Sequence, residues 1–375
     1  MNQIVRPTVL PNDRQLPLMH AATALDRQSA LSAWAQYVSS YQSQPEELTN
    51  HRILPLVYHN LAVNHRVQRF HRCEELKRLY YTIFAENHYL LNDFKPVLDV
   101  FLQHQIPVVA IKGFAHLHSL YHHLGARKMM DVDIMVPIDY FYQACELLTD
   151  LKWKTFPCQP YEQFNHRNSH ALNFFNENNH NIDLHCHLIH INLNPTDDKA
   201  YWESLVPFEF AGYSIQTLCP TDHLLHVFFH AHTIASWIAP LRWIPDALNL
   251  IRQSPIDWDR IVMLSRERYI TSFVSNTLGY LKKTFDVEIP DDTLKQLNET
   301  VVCRLEKAVF DVFNNVPAEN LIKQQKKCYM KIRYTYRQYS SLFCLLEYLK
   351  VISKTKHLWQ VPVKLPLAIF RKLCC

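Results

Sequence analysis

The sequence predicts an α+β protein in which a β-sheet core lies between a helical N-terminal region and a helical C-terminal region. Short β-branched or alternating runs are concentrated in the middle of the chain, whereas apolar residues at helical spacing dominate on both sides. Only 4 of the 375 residues are glycine, which favours helices over many tight hairpins. We therefore divide the chain into a helical region (1–105), an α/β core (106–218) and a C-terminal helical domain with a basic tail (219–375).

The predicted elements follow in order from these patterns. A helical pattern extends from Asp26 to about Gln105. The core begins with the β-branched run Val108–Ile111 and turns at Gly113. Apolar residues at helical spacing then predict a helix over Phe114–Tyr121. A glycine permits the sharp turn, and the free amides at the start of the helix offer an anion site.

The segment Met130–Val136 is the first candidate site. Apolar residues alternate with Asp131 and Asp133, which is the pattern of a strand with one face buried. Two carboxylates at this spacing project from one face with their Cβ atoms ~7 Å apart. They repel each other unless a cation lies between them, and Mg²⁺ prefers such oxygen ligands. Alone, this short motif is more often a solvated strand face or a turn.

A third acid follows in the segment Asn181–His187. Its alternation predicts a strand with Asp183 and His185 on the polar face, paired in a hairpin with Ala171–Phe175. Asp183 is then available to join Asp131 and Asp133 in a metal–phosphate site.

The remaining elements are predicted from turn and capping residues. Asp139 is a candidate N-cap for a helix, and a strand is expected near Trp153–Phe156. Pro207–Leu218 is predicted to be a hairpin that turns at Ala211-Gly212. Thr221 is a candidate N-cap for the first of the helices that continue to about residue 349.

Taken together, these motifs resemble a bacterial family of uncharacterised nucleotidyltransferases, within the DNA-polymerase-β-like nucleotidyltransferase superfamily. The resemblance extends over roughly residues 50 to 265. It rests on the ordered set Lys112-Gly113, Tyr121, Arg127, Asp131-x-Asp133, Asp183-Leu-His185, the His223–His230 helix and Leu241-Arg-Trp with Asp246.

The resemblance implies a small mixed sheet with helices packed on one side, and a helical second domain that closes over the nucleotide. It also implies that Asp131 and Asp133 bind two Mg²⁺ ions. Asp183 would hold the second metal and would orient or deprotonate the attacking hydroxyl. The implied reaction transfers an NMP from ATP or another NTP to an acceptor, by in-line attack at the α-phosphate. The acceptor class stays open between a small molecule, a protein and an RNA.

The same resemblance implies that the triphosphate is bound by Lys112, the Gly113 amide and Arg127. It also implies that His185 lines the nucleotide cleft. The sequence departs from the wider superfamily at one position. The superfamily commonly has serine after its turn glycine, whereas this chain has Phe114 there. This departure leaves open a second hypothesis, a non-catalytic nucleotide-binding or interaction protein that retains the fold. We expect Asp133, on an open cleft, to be replaceable by alanine with little effect on folding.

Composition indicates an ordinary cytoplasmic protein. The net charge is only +4, so the chain lacks the strong basic bias that is typical of nucleic-acid-binding proteins. No apolar run approaches the ~18 residues of a membrane span, so integral membrane association is not expected. The N-terminus lacks a signal-peptide pattern, and the 10 cysteines contain no CxxC pair, as expected for reduced thiols.

Two further patterns suggest other activities. The chain has 22 histidines, and the pairs His226/His230 and His185/His187 each share a face, so a zinc-dependent hydrolase is a competing enzyme class. No glutamate lies between the helical histidines as a metalloprotease motif requires. The basic segments 323–337 and 350–372 suggest contact with RNA, a membrane surface or a partner, although solvated helix faces and a disordered terminus explain them more simply.

Overall fold

The protein is described by a computed structural model that covers residues 10–41, 52–155, 161–164, 166, 169–189, 195–233, 241–302, 306, 307, 310 and 360. Over these residues it contains twelve α-helices and one seven-stranded mixed sheet. The predicted α+β class is therefore confirmed.

Helices form the region before the sheet. They are α1 (Leu16–Thr23), α2 (Arg27–Tyr41), α3 (Leu54–Tyr58) and α4 (Cys73–Gln103). A π-helical turn, His59–Asn64, continues α3. Helix α4 buries apolar residues three or four positions apart, from Leu76 to Phe101, and this face packs against the strand that carries Asp133. The long helix thereby covers one of the central strands of the sheet.

Among the described residues, seven strands and three helices form the core. The strands are β1 (Val109–Ala110), β2 (Val132–Met135), β3 (Lys154–Thr155), β4 (Ala171–Phe175), β5 (Asn181–His185), β6 (Val206–Phe210) and β7 (Tyr213–Thr217). The helices are α5 (Lys112–His116), which a π-helical turn Leu117–Tyr121 continues, α6 (Phe141–Asp150) and α7 (Pro195–Trp202).

The strand order is β3-β4-β5-β2-β1-β7-β6. The pairs β2/β5 and β1/β7 are parallel, and the other neighbours are antiparallel. Both predicted hairpins are confirmed: β4 pairs with β5, and β6 pairs with β7 across Ala211-Gly212. Gly212 has φ +90°, a left-handed conformation that glycine adopts without steric cost.

Between residues 218 and 302, leaving aside 234–240, five helices of the described part of the chain follow the sheet. They are α8 (Pro220–Thr233), α9 (Trp243–Gln253), α10 (Trp258–Glu267), α11 (Thr271–Phe285) and α12 (Asp291–Glu299). Helix α9 packs on α8 and on the turn that continues α5, so the C-terminal helices contact the core close to Gly113.

Four local predictions need correction. All four residues of β2 are buried, because β2 is a central strand between β1 and β5 and helices α4 and α5 pack on it. Asp133 is therefore 3% exposed and does not lie on an open cleft. Asp139 lies in a 3-10 turn before α6, whose N-cap makes no side-chain bond. Thr221 is the second residue of α8. Its hydroxyl accepts a hydrogen bond from the Asp257 amide and does not cap α8.

Other predictions fall on residues that are not described. The basic segment 323–337 and the terminal Cys374-Cys375 lie outside the described residues, and so does 350–372 apart from Gln360. Four cysteines are described, Cys73, Cys145, Cys186 and Cys219, and each is a free thiol. No helix in the described part of the chain is long and apolar enough to cross a membrane.

Candidate active site

The candidate site forms where β2 and β5 run side by side. Their parallel register pairs Asp133 with Asp183 and Met135 with His185. Neighbouring strands lie ~4.8 Å apart, so the two carboxylates become close neighbours although 50 residues separate them in the chain. Asp183 and His185 are two residues apart on β5, and the Nε2 atom of His185 lies 2.8 Å from Oδ2 of Asp183. The structure thus brings together three of the predicted residues.

Lys112 completes this cluster from the first residue of α5. Its Nζ atom lies 2.6 Å from Oδ1 of Asp133, 3.4 Å from Oδ2 of Asp183 and 3.1 Å from Nε2 of His185. Its backbone adopts φ +50°, which is uncommon for a residue with a side chain. The strained backbone lets the chain turn from β1 into α5, and the ion pairs of the ammonium group offset its cost.

Burial and charge act against each other in this cluster. Burial disfavours the charged form of Lys112, but the carboxylates, Asp133 first, outweigh burial and raise the pKa of Lys112. Burial likewise disfavours a charged Asp133, yet Lys112 and a hydrogen bond from His185 lower the pKa of Asp133. For Asp183 the charges of His185 and Lys112 overcome burial and hold its pKa well below its ordinary value. Asp133 and Asp183 are therefore ionised, and the Lys112 ammonium offsets part of their negative charge.

Asp131 has a different environment. It precedes β2 and is half-buried, outside the strand in which the sequence places it. Burial and the neighbouring charge of Asp133 raise the pKa of Asp131 to about 7. Its carboxylate is not part of the compact set of potential metal ligands formed by Asp133, Asp183 and His185, whose ligand atoms lie within 4.8 Å of one another.

These donor atoms fit a divalent cation. Two carboxylates offer the oxygen ligands that Mg²⁺ prefers, and an imidazole extends the set to softer metals. The buried Oδ1 atom of Asp183 has no hydrogen-bond partner among the described residues, so it retains a free ligand position. Over the same residues, no other group of three such side chains comes as close together.

The predicted phosphate turn lies beside this cluster. Gly113 follows Lys112, and a Cβ atom on Gly113 would lie 2.6 Å from Nη1 of Arg127. Asp246 of α9 holds that guanidinium: its Oδ1 accepts from Nε at 3.0 Å and its Oδ2 from Nη2 at 2.9 Å. Asp246 also accepts the Tyr121 hydroxyl at 2.7 Å. The close approach explains why glycine is required here, and it leaves Nη1 as the Arg127 donor nearest the turn.

Asn87 is a positioning residue that sequence reasoning missed. It is fully buried on α4, where its Nδ2 donates to the carbonyls of Leu124 and Arg127 and its Oδ1 accepts the Met129 amide. These bonds fix the segment that leads into Asp131 and β2. The sequence does contain a signal for this role, because Asn87 places an amide side chain at a position of the α4 pattern that is otherwise apolar.

Among the described residues, the histidine pairs do not form the zinc sites that their spacing suggests. His187 bonds to Asp198 of α7 at 2.6 Å, whereas His185 faces Asp183. His226 and His230 are neighbours on α8 with ring centroids 5.7 Å apart, but no third ligand group joins them in the described part of the chain. Burial, followed by the charge of Lys112, lowers the pKa of His230 to about 3, so this imidazole is neutral at physiological pH.

Phe114 points into the core. It is fully buried and makes edge-to-face contacts with Phe94 of α4 and with Phe208 and Phe210 of β6. The position after the turn glycine therefore anchors α5 to the core and presents no hydroxyl to the site.

Comparison with known families assigns the chain. A family model described as "uncharacterised nucleotidyltransferase" matches residues 46–286, close to two thirds of the chain. The chain belongs to this nucleotidyltransferase family. The match includes α4, the whole sheet and the helices that carry His230 and Asp246. No curated protein and no solved structure matches the chain.

Proposed function

We propose that this protein is a Mg²⁺-dependent nucleotidyltransferase that moves an NMP from an NTP to an acceptor. One observation carries the proposal. The β2/β5 register sets Asp133 beside Asp183, with the ligand atoms of both and of His185 within 4.8 Å, in a chain of a nucleotidyltransferase family. Paired carboxylates that hold Mg²⁺ against substrate phosphates are the usual means of catalysing phosphoryl-group chemistry.

In this proposal Asp131, Asp133 and Asp183 hold two Mg²⁺ ions. Bound Mg²⁺ supplies positive charge that stabilises the attacking and leaving oxygens of the displacement. Asp133 and Asp183 are ionised and already bind one cation, the Lys112 ammonium. Asp131 is half-buried just before β2, within electrostatic reach of both. The three carboxylates therefore supply the negative charge that such ions require.

Phosphate contacts are assigned to the β1–α5 turn. The Lys112 ammonium and the Gly113 amide would bind the nucleotide phosphates, with Arg127 contributing Nη1 from behind the turn. His185 would line the nucleotide cleft, where its hydrogen bond to Asp183 keeps that carboxylate oriented. The side chains of Lys112, Arg127 and His185 are each held by a contact that already exists in the protein.

The proposed reaction is a single displacement. An oxygen of the acceptor forms a bond to the α-phosphorus, the bond from that phosphorus to the bridging oxygen breaks, and pyrophosphate leaves. The acceptor's hydroxyl proton passes to Asp183 or to solvent. Catalysis of this kind depends on positioning and electrostatic stabilisation.

The wider setting of the activity is part of the proposal. We place the chain in the DNA-polymerase-β-like superfamily and in the cytoplasm, with helices of 219–375 closing over the nucleotide held by 106–218. The acceptor is a small molecule, a protein or an RNA.

Phe114 favours one alternative, a non-catalytic nucleotide-binding or interaction protein that retains the fold. Its side chain is committed to the core, so this position supplies no phosphate ligand.

The test is a calorimetric and thermal-shift titration with ATP, GTP, CTP and UTP, each with and without Mg²⁺. Wild type is compared with Asp133→Asn, and with Asp139→Asn as a matched control because Asp139 is exposed on the same segment. A ligand at a hundred times its Kd stabilises a protein by about 2.7 kcal/mol, which a thermal shift detects, and the calorimetric titration measures the Kd itself. We expect Mg²⁺-dependent binding of at least one NTP in wild type and the control but not in Asp133→Asn.

Two outcomes would contradict the proposal. Nucleotide binding that is equal with and without Mg²⁺ and unchanged in Asp133→Asn would favour a nucleotide-binding protein. Failure of every NTP to bind the folded wild type would favour an interaction protein.

A further inference from the structure

A buried chain of polar contacts, here called the histidine chain, leads from the sheet to α9. The Thr217 hydroxyl donates to the Ala110 carbonyl at 2.7 Å, and Nε2 of His223 lies 2.9 Å from the same hydroxyl oxygen. Nδ1 of His223 lies 3.3 Å from Nε2 of His116. Nδ1 of His116 lies 3.4 Å from Oδ2 of Asp246, which is an ion-pair distance and long for a hydrogen bond. All four side chains are buried.

The histidine chain needs one hydrogen more than its neutral side chains supply. Each of its four contacts requires a hydrogen between the two heavy atoms, because two facing lone pairs repel each other. Both ends only accept, since one is a backbone carbonyl and the other is a carboxylate. Between these ends, two neutral imidazoles and one hydroxyl carry one hydrogen each. The fourth hydrogen is therefore an additional proton.

The contacts of Asp246 place this proton on His116. The Asp246 oxygens accept the Tyr121 hydroxyl and two nitrogens of Arg127, so this carboxylate stays ionised. Burial, followed by the charge of His116, holds the pKa of His223 well below its ordinary value, so His223 is neutral. On His116 the proton lies beside the carboxylate, which attracts it. A neutral ring would leave a buried lone pair beside that carboxylate, which is costly.

The additional proton changes the charge behind the β1–α5 turn. Asp246 by itself balances the charge of Arg127, the arginine that approaches Gly113. A protonated His116 balances Asp246 in turn, so these three side chains together keep one positive charge. A buried charge of this kind is costly unless an anion pairs with it. Phosphate oxygens bound at the turn would supply that anion.

We propose that His116 is a positioning residue whose imidazolium keeps the Arg127 charge available to the nucleotide phosphates. The inference rests on the proposed nucleotidyltransferase function and extends it to a residue that acts through Asp246 and Arg127. Among the described residues, the titratable groups that face His116 are His223 of α8 and Asp246 of α9. Arg127 and Tyr121 are joined to it through Asp246. NTP binding should therefore weaken as the pH rises and His116 loses its proton.

The first test locates the proton by ¹⁵N NMR of the full chain labelled at histidine. An imidazolium carries hydrogens on both ring nitrogens, whereas a neutral ring carries one. At about pH 7.5, above the ordinary histidine pKa of ~6.5, we expect a doubly protonated ring in wild type that His116→Gln lacks. His118→Gln is the matched control and should retain this signal. His118 is half-buried on the same helical segment and donates to the Phe114 carbonyl at 3.1 Å.

Two variants of Thr217 test the hydrogen count. Thr217→Val keeps the shape and removes the hydroxyl, so hydrogens on two neutral rings satisfy the contacts that remain. His116 should then lose its proton at a lower pH than in wild type. Thr217→Ser retains the hydroxyl and should titrate as wild type does. This pair stays informative if His116→Gln is unstable, because neither variant changes a residue of the candidate site.

The functional test is calorimetric titration of an NTP with Mg²⁺ as a function of pH. At pH 7 we expect His116→Gln to bind about tenfold more weakly than wild type, because one positive charge is lost. In Thr217→Val the weakening of binding should begin at a lower pH than in wild type. In Thr217→Ser it should follow wild type.

The inference is overturned if the His116 ring of wild type is neutral at about pH 7.5, or if Thr217→Val and Thr217→Ser titrate alike. It is also overturned if His116→Gln binds the NTP with wild-type affinity and pH dependence. The proposed function fails separately. A doubly protonated His116 in a wild type that binds no NTP with Mg²⁺ would retain the location of the proton and reject nucleotidyl transfer.

Discussion

Lys112 combines a left-handed backbone conformation with an ammonium group that lies within 3.4 Å of Asp133, Asp183 and His185. The side chain therefore neutralises carboxylates that would otherwise repel each other. This contact changes the expectation for Asp133. Alanine at that position removes the 2.6 Å partner of a buried ammonium and should destabilise the fold, which is why asparagine is the better test of function.

His59 shows how one buried residue makes stability depend on pH. It follows α3, is 5% exposed and stacks on Tyr80, and its Nδ1 has no hydrogen-bond partner among the described residues. Burial, then the charge of His123, lowers the pKa of His59 from 6.5 to about 4.

We expect this site to destabilise the protein in mild acid. The unfolded chain binds a proton below about pH 6.5 while folded His59 stays neutral to about pH 4. Stability is therefore full above pH 6.5 and falls as the pH drops towards 4, by up to roughly 3 kcal/mol from this residue. The free energy of unfolding, measured with urea between pH 7 and 4, should depend less on pH in His59→Phe than in wild type. The same slope in His59→Phe and wild type would refute the assignment, and His88→Phe, at an exposed position, is the control.

At the scale of elements, the turn from β1 into α5 depends on close approach. Gly113 faces the Arg127 guanidinium, which Asp246 fixes, so the arginine cannot give way to a larger side chain. Asn87 fixes the carbonyl of the same arginine from α4. The turn is thereby clamped by groups from α4 and α9.

Alanine at Gly113 should test this clamp. Its Cβ would lie 2.6 Å from Nη1 of Arg127, so we expect Gly113→Ala to destabilise the protein by about 1–3 kcal/mol and to weaken NTP binding. Gly279→Ala is the matched control, because nothing lies within 4 Å of its added Cβ inside α11. Gly279→Ala should stabilise the protein by about 0.5–1 kcal/mol. Denaturant unfolding measures both, and equal effects of the two substitutions would contradict the clamp.

At the scale of the whole molecule, Asp246 joins the C-terminal helices to the core. It lies on α9, is 3% exposed, and accepts hydrogen bonds from Arg127 and Tyr121. Burial would raise the pKa of this carboxyl, but the charge of Arg127, followed by a bond from His116, lowers the pKa well below its ordinary value. Its contribution to stability is therefore present at neutral pH and lost in strong acid.

Asp246→Asn should be the more damaging of two matched substitutions. It leaves the buried Arg127 charge unpaired, so we expect a loss of about 3–5 kcal/mol and a displaced Arg127. Asp291→Asn also removes an ion pair, to Lys282 at 2.7 Å, but Asp291 is 96% exposed and its loss should cost less than about 1 kcal/mol. Chemical denaturation at pH 7 measures the free energy of unfolding of both variants and of wild type. Similar losses would show that Asp246 does not join the two regions.

The sequence by itself determined the α+β class, both hairpins and the order of the core elements. These features follow from the spacing of apolar residues and from turn residues such as Gly212, which act over a few neighbouring positions. It also selected Lys112, Asp133, Asp183 and His185, the residues that the structure brings together.

Only the tertiary structure decided how these residues meet. The pairing of Asp133 with Asp183, the burial of β2 on both faces and the contact of Arg127 with Asp246 join positions far apart in the chain. Arg127 and Asp246 are separated by 119 residues, and no local pattern specifies which acid an arginine will reach. The roles of the buried charges depend on those distant partners, because burial makes an unpaired charge costly and a paired one tolerable.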